Sequence, residues 1–265
     1  MGARVTVPEH DGGSLGGPPR VTYLIGACNS VGVIEDTLES IAKRLADVPA
    51  EIIVIENGST DGTPERLAAL RSDWPKDAPA LVTISTPKGL GNAMRAGIAA
   101  STGTLVVITA DDLPFGFDDL DGAEKYDIRA KRLLIGSKGH PQSEIERSFV
   151  RSVLTWGYRT LRWMILGIRA ADTQGTLLMD GVWVRALEPT LQETGFLVTT
   201  EIAYAAELSG YRAVEMPVRL RKAGHPTRVR LSDISDMGTG LLRLRKRRRA
   251  LREAATAHGL TAAEA

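Results

Sequence analysis

Four clusters of side chains able to do chemistry sit at the ends of apolar runs. Asn29 follows RVTYLI, Glu56 and Asn57 follow EIIVI, Lys88 precedes a Gly-Leu-Gly, and Asp111 with Asp112 follows TLVVITA. Two adjacent carboxylates are hard oxygen donors of the kind that Mg²⁺ or Mn²⁺ prefers. An amide such as Asn57 both donates and accepts, as the edge of a nucleobase requires, and Gly58 behind it permits a tight turn. Lys88 and Arg95 flank glycines at 89, 91 and 97 and could face a phosphate. Plainer readings stand beside these. Two aspartates can cap a turn, Asn-Gly is a common turn pair, and Arg95 could be a solvated helical residue.

These residues need elements to bring them together. Residues 20–25 read as a first strand and 31–46 as a helix, with Val31, Ile34, Leu38, Ile41 and Leu45 at helical spacing. Residues 51–55 read as a buried strand, followed by a helix with Thr63 as N-cap and Pro64 in its first turn. A third strand is expected at 80–85, a Gly/Ala-rich helix at 90–101 and a fourth strand at 104–110. Strand alternating with helix implies a mostly parallel sheet with crossover helices. Ligands of such sheets sit beyond the carboxyl ends of the strands, and all four clusters fall there. Further on, 133–137 reads as a strand, 145–168 as a helix, 198–209 as a helix, 213–219 as a strand, and 239–257 as a basic terminal helix.

Composition narrows the function classes. The chain has 265 residues, is 43% hydrophobic, and balances 33 Lys and Arg against 32 Asp and Glu. The balance says nothing of a partner, but the distribution does. Seven acidic residues lie between Asp111 and Asp127 and seven basic ones between Arg243 and Arg252, which suggests separate sites for a cation and an anion, or simply solvated faces. One cysteine, Cys28, excludes an internal disulfide and fits a reducing, cytoplasmic compartment. No segment approaches the roughly 18 apolar residues of a membrane span. Residues 1–19, rich in Gly and Pro, read as a disordered leader, 20–230 as the working domain, and 231–265 as a basic helical tail. That tail could dock on anionic lipid. Without an aromatic-interleaved platform it does not read as a nucleic-acid binder.

The stretch EIIVIENGSTDGT resembles the strand and turn "VDDGSTDGT" of family 2 glycosyltransferases. KGLGNAMRAGIAASTGTLVVITADDLP, ADTQGTLLM and EIAYAAELSGYRAVEMPV resemble further stretches of that family in the same order. The resemblance covers roughly residues 20–230 and is nearest to polyprenyl-phosphate sugar transferases such as dolichyl-phosphate mannosyltransferases. It implies a GT-A fold, a Rossmann-like sheet with flanking helices. It also implies a UDP- or GDP-sugar donor and a divalent metal, Mg²⁺ or Mn²⁺. Asp112 matches the second Asp of the family's Asp-x-Asp, and Ala110 stands where the first would be, so Asp111 is the candidate replacement ligand. Asn29 matches the Asn of the loop after the first strand. Glu56 and Asn57 match the acidic pair of the second turn, and with Lys88, Gly89 and Gln174 they are the expected donor contacts. Arg221 and Gly224 match a donor-phosphate clamp, with Arg228 as its phosphate ligand.

The acceptor side rests on the same resemblance. Lys138 after Ser137, and Arg151 with Thr155, match residues that hold an acceptor phosphate. Taken as a helix, Arg147, Arg151, Thr155, Tyr158, Arg162 and Arg169 share one stripe, and the remaining face is apolar and contains Trp156 and Trp163. A basic amphipathic helix with Trp at its edges is the pattern of an interfacial membrane helix, and also of a core-facing helix with a polar face. An acceptor phosphate is already ionised near neutral pH and needs no base. An alcohol acceptor would need one, and Asp172 is the candidate. The leading expectation is inverting hexose transfer to a polyprenyl or dolichyl phosphate at the cytoplasmic membrane face. The alternatives are the same donor chemistry on a soluble small molecule and a nucleotide-binding scaffold without catalysis.

Overall fold

The computed structural model describes residues 20–143, 149–221 and 231–257, with side chains outside 149–154 and 231–237. The leader expected at 1–19, Arg147 and Arg228 lie outside the described residues. The first half runs β1 (Val21–Ala27), α1 (Ile34–Arg44), β2 (Ala50–Glu56), α2 (Thr63–Ser72), β3 (Ala80–Ser85), α3 (Leu90–Ala100) and β4 (Leu105–Thr109). The second runs α4 (Asp118–Ala123), α5 (Ile128–Lys131), β5 (Leu133–Ser137), α6 (Phe149–Leu166), β6 (Thr176–Asp180), α7 (Gly181–Leu187), α8 (Val198–Leu208), β7 (Val214–Pro217), α9 (Leu231–Lys246) and α10 (Arg248–Thr256).

One seven-stranded sheet has the order β3-β2-β1-β4-β6-β5-β7. β1 pairs in parallel with β2 and β4, and β2 with β3, while β6 runs antiparallel to both β4 and β5. Helices cover both faces, so the inner strands are apolar on both. Alternation along β1 sends Leu24 to one core, shared with α3, α7 and α8, and Tyr23 and Ile25 to the other, shared with α1. Ala27 lies opposite Glu56, Glu56 opposite Ser85, and Ile25 opposite Thr109. Strands β1 to β4 therefore finish on one edge.

The structure refines several expectations. Residues 175–187 divide into β6 and α7 at Asp180, whose side chain accepts from Val182 N at 2.9 Å and Trp183 N at 3.3 Å, a helix N-cap. α2 begins one residue earlier than expected, and Asp61 rather than Thr63 supplies the capping oxygen, to Thr63 N at 3.0 Å. The terminal basic helix is broken at Arg247 into α9 and α10, and Leu241, Leu244, Leu251 and Ala255 are fully buried in the same cluster as Leu24 and Ile53. Two residues of the expected polar stripe on α6 are turned inward. Arg162 is 2% exposed and Tyr158 is half-buried, while Thr155 is exposed and Arg169 lies beyond the helix. The outward face carries Trp156 at 69%, Trp163 at 58% and Met164 at 59% exposure. Arg162 and Tyr158 thus face protein beside Leu161 and Leu166, while Thr155 and Arg159 share the outward face with the tryptophans.

Candidate active site

The carboxyl edge of β1 to β4 is a set of turns tied to one another. After β1, Asn29 adopts φ +57°, a left-handed conformation that Asn tolerates better than most residues. Asn29 N donates to Ser59 Oγ at 3.0 Å, and Asn29 Oδ1 accepts from Thr60 N at 2.8 Å. Ser30 N donates to Thr63 Oγ1 at 2.8 Å, and the Ser30 hydroxyl donates to the Asp111 carboxylate. Thr37 Oγ1, on α1, donates to the Asp111 carbonyl at 2.7 Å. Asp111 is thus oriented by the loop after β1, and half-buried Asp112 follows it at the mouth of the same edge.

The turn after β2 meets the turn before α3. Asn57 N donates to Ala27 O at 2.9 Å, and Asn57 Oδ1 accepts from Gly89 N at 2.7 Å. Asn57 is 6% exposed. Its side-chain oxygen thus accepts one bond from the backbone of Gly89. Gly58 adopts φ +70°, and a Cβ there would come within 3.1 Å of the Lys88 side chain. Glu56 Oε1 accepts from Ser59 N at 2.6 Å and lines a cavity of about 500 Å³ between α2 and β3. Lys88 itself is exposed. Arg95 is neither at a phosphate-facing position nor merely solvated, since its Nε donates to Glu188 at 3.1 Å.

A second polar group lies past β5 and before β6. Asp172 accepts from Lys138 N at 3.1 Å and from Gln174 N at 2.8 Å, one bond to each carboxylate oxygen. Asp172 therefore braces the loop that carries Gln174, whatever else it does. The Lys138 ammonium stands 5.6 Å from the ring centre of buried Phe115, four residues after Asp111. That contact joins this group to the aspartate loop. So does Arg221, whose backbone N donates to Pro114 O at 2.8 Å and whose guanidinium pairs with Asp118. Arg151 lies in α6 with its side chain outside the described residues, and Arg228 is outside them altogether.

Sequence reasoning assigned Glu215 no role and placed Arg162 only on the polar stripe of α6, yet both hold this second group. Glu215 on β7 accepts from Ala171 N at 2.8 Å, Asp172 N at 3.1 Å and the Ser137 hydroxyl. Arg162 donates to Thr173 Oγ1 at 3.0 Å and to the Ala170 carbonyl, and its Nε has no partner. Burial pushes the Arg162 guanidinium below its usual range, partly offset by nearby Tyr158, Asp172 and Glu215, and burial raises the Tyr158 phenol. Asp119, 1% exposed near β5 and β6, is raised by burial, against hydrogen bonds from the Thr176 hydroxyl and Leu120 N. The only sequence signal for Glu215 was its place in the last family-like stretch.

The aspartate pair fits a hard divalent ion in part. Among the described residues no three His, Cys, Asp or Glu side chains gather in one place. Two carboxylates at a strand end suit Mg²⁺ or Mn²⁺ when phosphate oxygens and water complete the shell.

Residues 22–140 match the family model "Glycosyl transferase family 2". This segment, less than half of the chain, is similar to family 2 glycosyltransferases. Within the matched span lie β1 to β5 and every candidate from Asn29 to Lys138. The chain is 28% identical over 153 residues to dolichyl-phosphate beta-glucosyltransferase of Homo sapiens, covering 54% of this chain and 47% of that protein. It is 30% identical over 93 residues to glucosyl-3-phosphoglycerate synthase of Mycobacterium tuberculosis, covering 35% and 29%. It spans about half the length of the dolichyl-phosphate relatives. The fold resembles the crystal structure of that Mycobacterium tuberculosis synthase in complex with Mn²⁺, UDP and glucosyl-3-phosphoglycerate, with a TM-score of 0.60 at 19% identity, over 87% of this chain and 80% of that one. The chain thus has the GT-A fold expected from its sequence.

Proposed function

We propose that this chain is an inverting, metal-dependent hexosyltransferase that moves a sugar from a UDP- or GDP-hexose to a polyprenyl or dolichyl phosphate at the cytoplasmic membrane face. The observation that carries the reading is the tying together of the Ser30, Asn57, Gly89 and Asp111 turns on one strand edge, within the segment that matches the family 2 model. Asn29, Glu56, Asn57, Lys88 and Gly89 form the donor side, and Asp111 and Asp112 would hold the metal. When bound, that ion neutralises charge on the departing diphosphate. Lys138 and Arg151 form the acceptor side, with Gln174 and Arg228 as further contacts of the donor.

In the reaction an acceptor phosphate oxygen attacks the anomeric carbon from the face opposite the nucleotide. The bond from that carbon to the diphosphate breaks with inversion, and the nucleoside diphosphate leaves with the electron pair. The attacking phosphate has a second pKa near 6 and is largely ionised at neutral pH, so no side chain need take a proton. Asp172, with both oxygens on backbone N–H groups, then serves to hold the loop of Gln174. The protein's work is positioning and charge stabilisation.

The names of the dolichyl-phosphate relatives and the outward Trp156, Trp163 and Met164 of α6 favour a lipid-borne acceptor, with α6 lying in the membrane interface. Among the described residues no helix is long and apolar enough to cross a membrane. The test is transfer from labelled UDP- and GDP-hexoses, with Mn²⁺ or with a chelator, to polyprenyl phosphate in vesicles or to 3-phosphoglycerate in solution. Metal-dependent labelling of the lipid is expected. Labelling of the soluble phosphate alone would overturn the lipid assignment, and no hydrolysis or transfer from any donor would overturn the transferase.

A further inference from the structure

The basic run 243–252 was expected to be a tail, and the structure gives one of its members a different task. Glu201, on α8, is fully buried. Its carboxylate accepts from Gln192 N at 3.1 Å and Glu193 N at 3.0 Å, and it forms an ion pair with Arg247 at the break between α9 and α10. Arg247 also donates to the Thr190 carbonyl, and Arg243 pairs with Glu193 at 3.2 Å. The segment 190–194 is therefore hung from α8 and from the basic helices at several backbone points.

That same segment lies against the start of α3. Thr194 O accepts from Gly91 N at 2.8 Å. A Cβ on Gly91 would overlap the Glu193 carbonyl, and one on Gly89, at φ +138°, would overlap the Thr194 carbonyl. Glycine at both positions is what lets the two backbones approach so closely. From the other side, Gly89 N is held by Asn57. The Lys88–Gly91 turn is clamped between Asn57 and the 192–194 loop, and only the second jaw depends on the C-terminal helices.

We propose that Glu201 and Arg247 are positioning residues for donor binding: their buried ion pair sets the 192–194 loop, and the loop sets the Lys88–Gly91 turn against the nucleotide diphosphate. The proposal rests on the reading of that turn as part of the donor site. A buried carboxylate needs its partners, and removing one partner leaves an uncompensated charge. Without Arg247 the loop keeps two of its bonds to Glu201 but loses the guanidinium that spans Glu201 and Thr190, so the Thr194 carbonyl no longer has a fixed place. The basic segment thereby acts on the donor site from behind, without touching it.

The test compares Arg247→Ala with Leu251→Ala. Leu251 is equally part of the C-terminal helices, is fully buried in the core and contacts no loop residue by hydrogen bond. Both variants are kept at a temperature where circular dichroism shows them folded. In full-length protein with Mn²⁺, Arg247→Ala is expected to raise the dissociation constant of the preferred nucleotide, UDP or GDP, about tenfold. Leu251→Ala should leave it unchanged, and Arg247→Lys should restore part of the affinity. Gly91→Ala disturbs the same contact from the other side, so the double variant should lose less than the sum of the two single losses. Amide exchange should speed up at 88–92 and 192–197 in Arg247→Ala and not in Leu251→Ala. Unchanged affinity and exchange in Arg247→Ala, or equal changes in Leu251→Ala, would overturn the proposal. If the unmodified protein binds neither nucleotide, the donor reading fails, and the exchange comparison alone decides whether the brace exists.

Discussion

The proposed donor edge and the proposed acceptor side of this molecule are built by opposite means. At the donor edge, short turns at strand ends hold one another by local hydrogen bonds: Gly89 N to the Asn57 side chain, Thr60 N to the Asn29 side chain, and the Ser30 hydroxyl to the Asp111 carboxylate. Ser30 and Asn57 are buried while Asn29 and Asp111 are not, and the sheet beneath them is complete without them. On the acceptor side, the loop 170–174 depends on charged residues inside the protein, Arg162 from α6 and Glu215 from β7. There the polar groups that shape the site also hold the fold. Binding and stability should therefore come apart at the donor edge and stay coupled at the acceptor side.

The largest expected effect is at the donor edge. Asp112→Ala should lower turnover about 10²–10³-fold, as loss of a charge-stabilising group does, with a melting temperature close to that of the unmodified protein. Steady-state kinetics and calorimetry on one preparation check both halves, and a large loss of stability would break the contrast. Arg162→Ala should do the reverse. It removes a buried side chain that bonds Thr173 and the Ala170 carbonyl, so chemical denaturation should show about 2–4 kcal/mol of destabilisation, with activity falling along with it. Full stability with lost activity would make Arg162 a ligand-binding group instead of a structural one.

A smaller effect is expected on the outer face of α6. Replacing Trp156 and Trp163 together by Ser should weaken flotation with anionic vesicles about tenfold or more while leaving hydrolysis of the donor in solution intact. Equal vesicle binding would remove the membrane role from this face. The smallest concerns pH. Burial raises the folded pKa of Asp119 above its unfolded value, so the folded state retains the proton longer and stability falls as pH rises through that window. Asp119→Asn does not titrate. Between about pH 4 and about pH 7 the unmodified protein should lose more stability than the variant, as denaturant titrations at the two pH values would show. A constant difference would mean that Asp119 does not titrate in that interval.

The contrast also explains what could be read in advance. The donor half was legible because its signals are local. A parallel strand buried on both faces is a short apolar run, and the polar residue after it must lie at the carboxyl edge. The boundaries of β3 and β5 match the expected ones to the residue. Asn57 shows where local reading ran out: its type was noticed, but its tie to Gly89 depends on how closely two turns approach. The acceptor half was less legible because its arrangement depends on partners far along the chain. A stripe of Arg and Tyr on α6 reads the same whether it meets water or a buried loop, and only the packing of α8 and β7 turned Tyr158 and Arg162 inward.

The sequence by itself determined the alternation of strands and helices, the edge on which Asn29, Glu56, Asn57, Lys88 and the Asp111–Asp112 pair assemble, and the glycines that let turns approach. Those follow from burial periodicity and backbone freedom, which act over a few residues. Only the tertiary structure decided that the basic segment at 243–252 packs into the core, that Arg247 meets Glu201 there, and that the tryptophans of α6 face outward. A charged or aromatic side chain is stable in several surroundings. Which one it occupies depends on long-range packing and on whether a partner stands ready to compensate its burial.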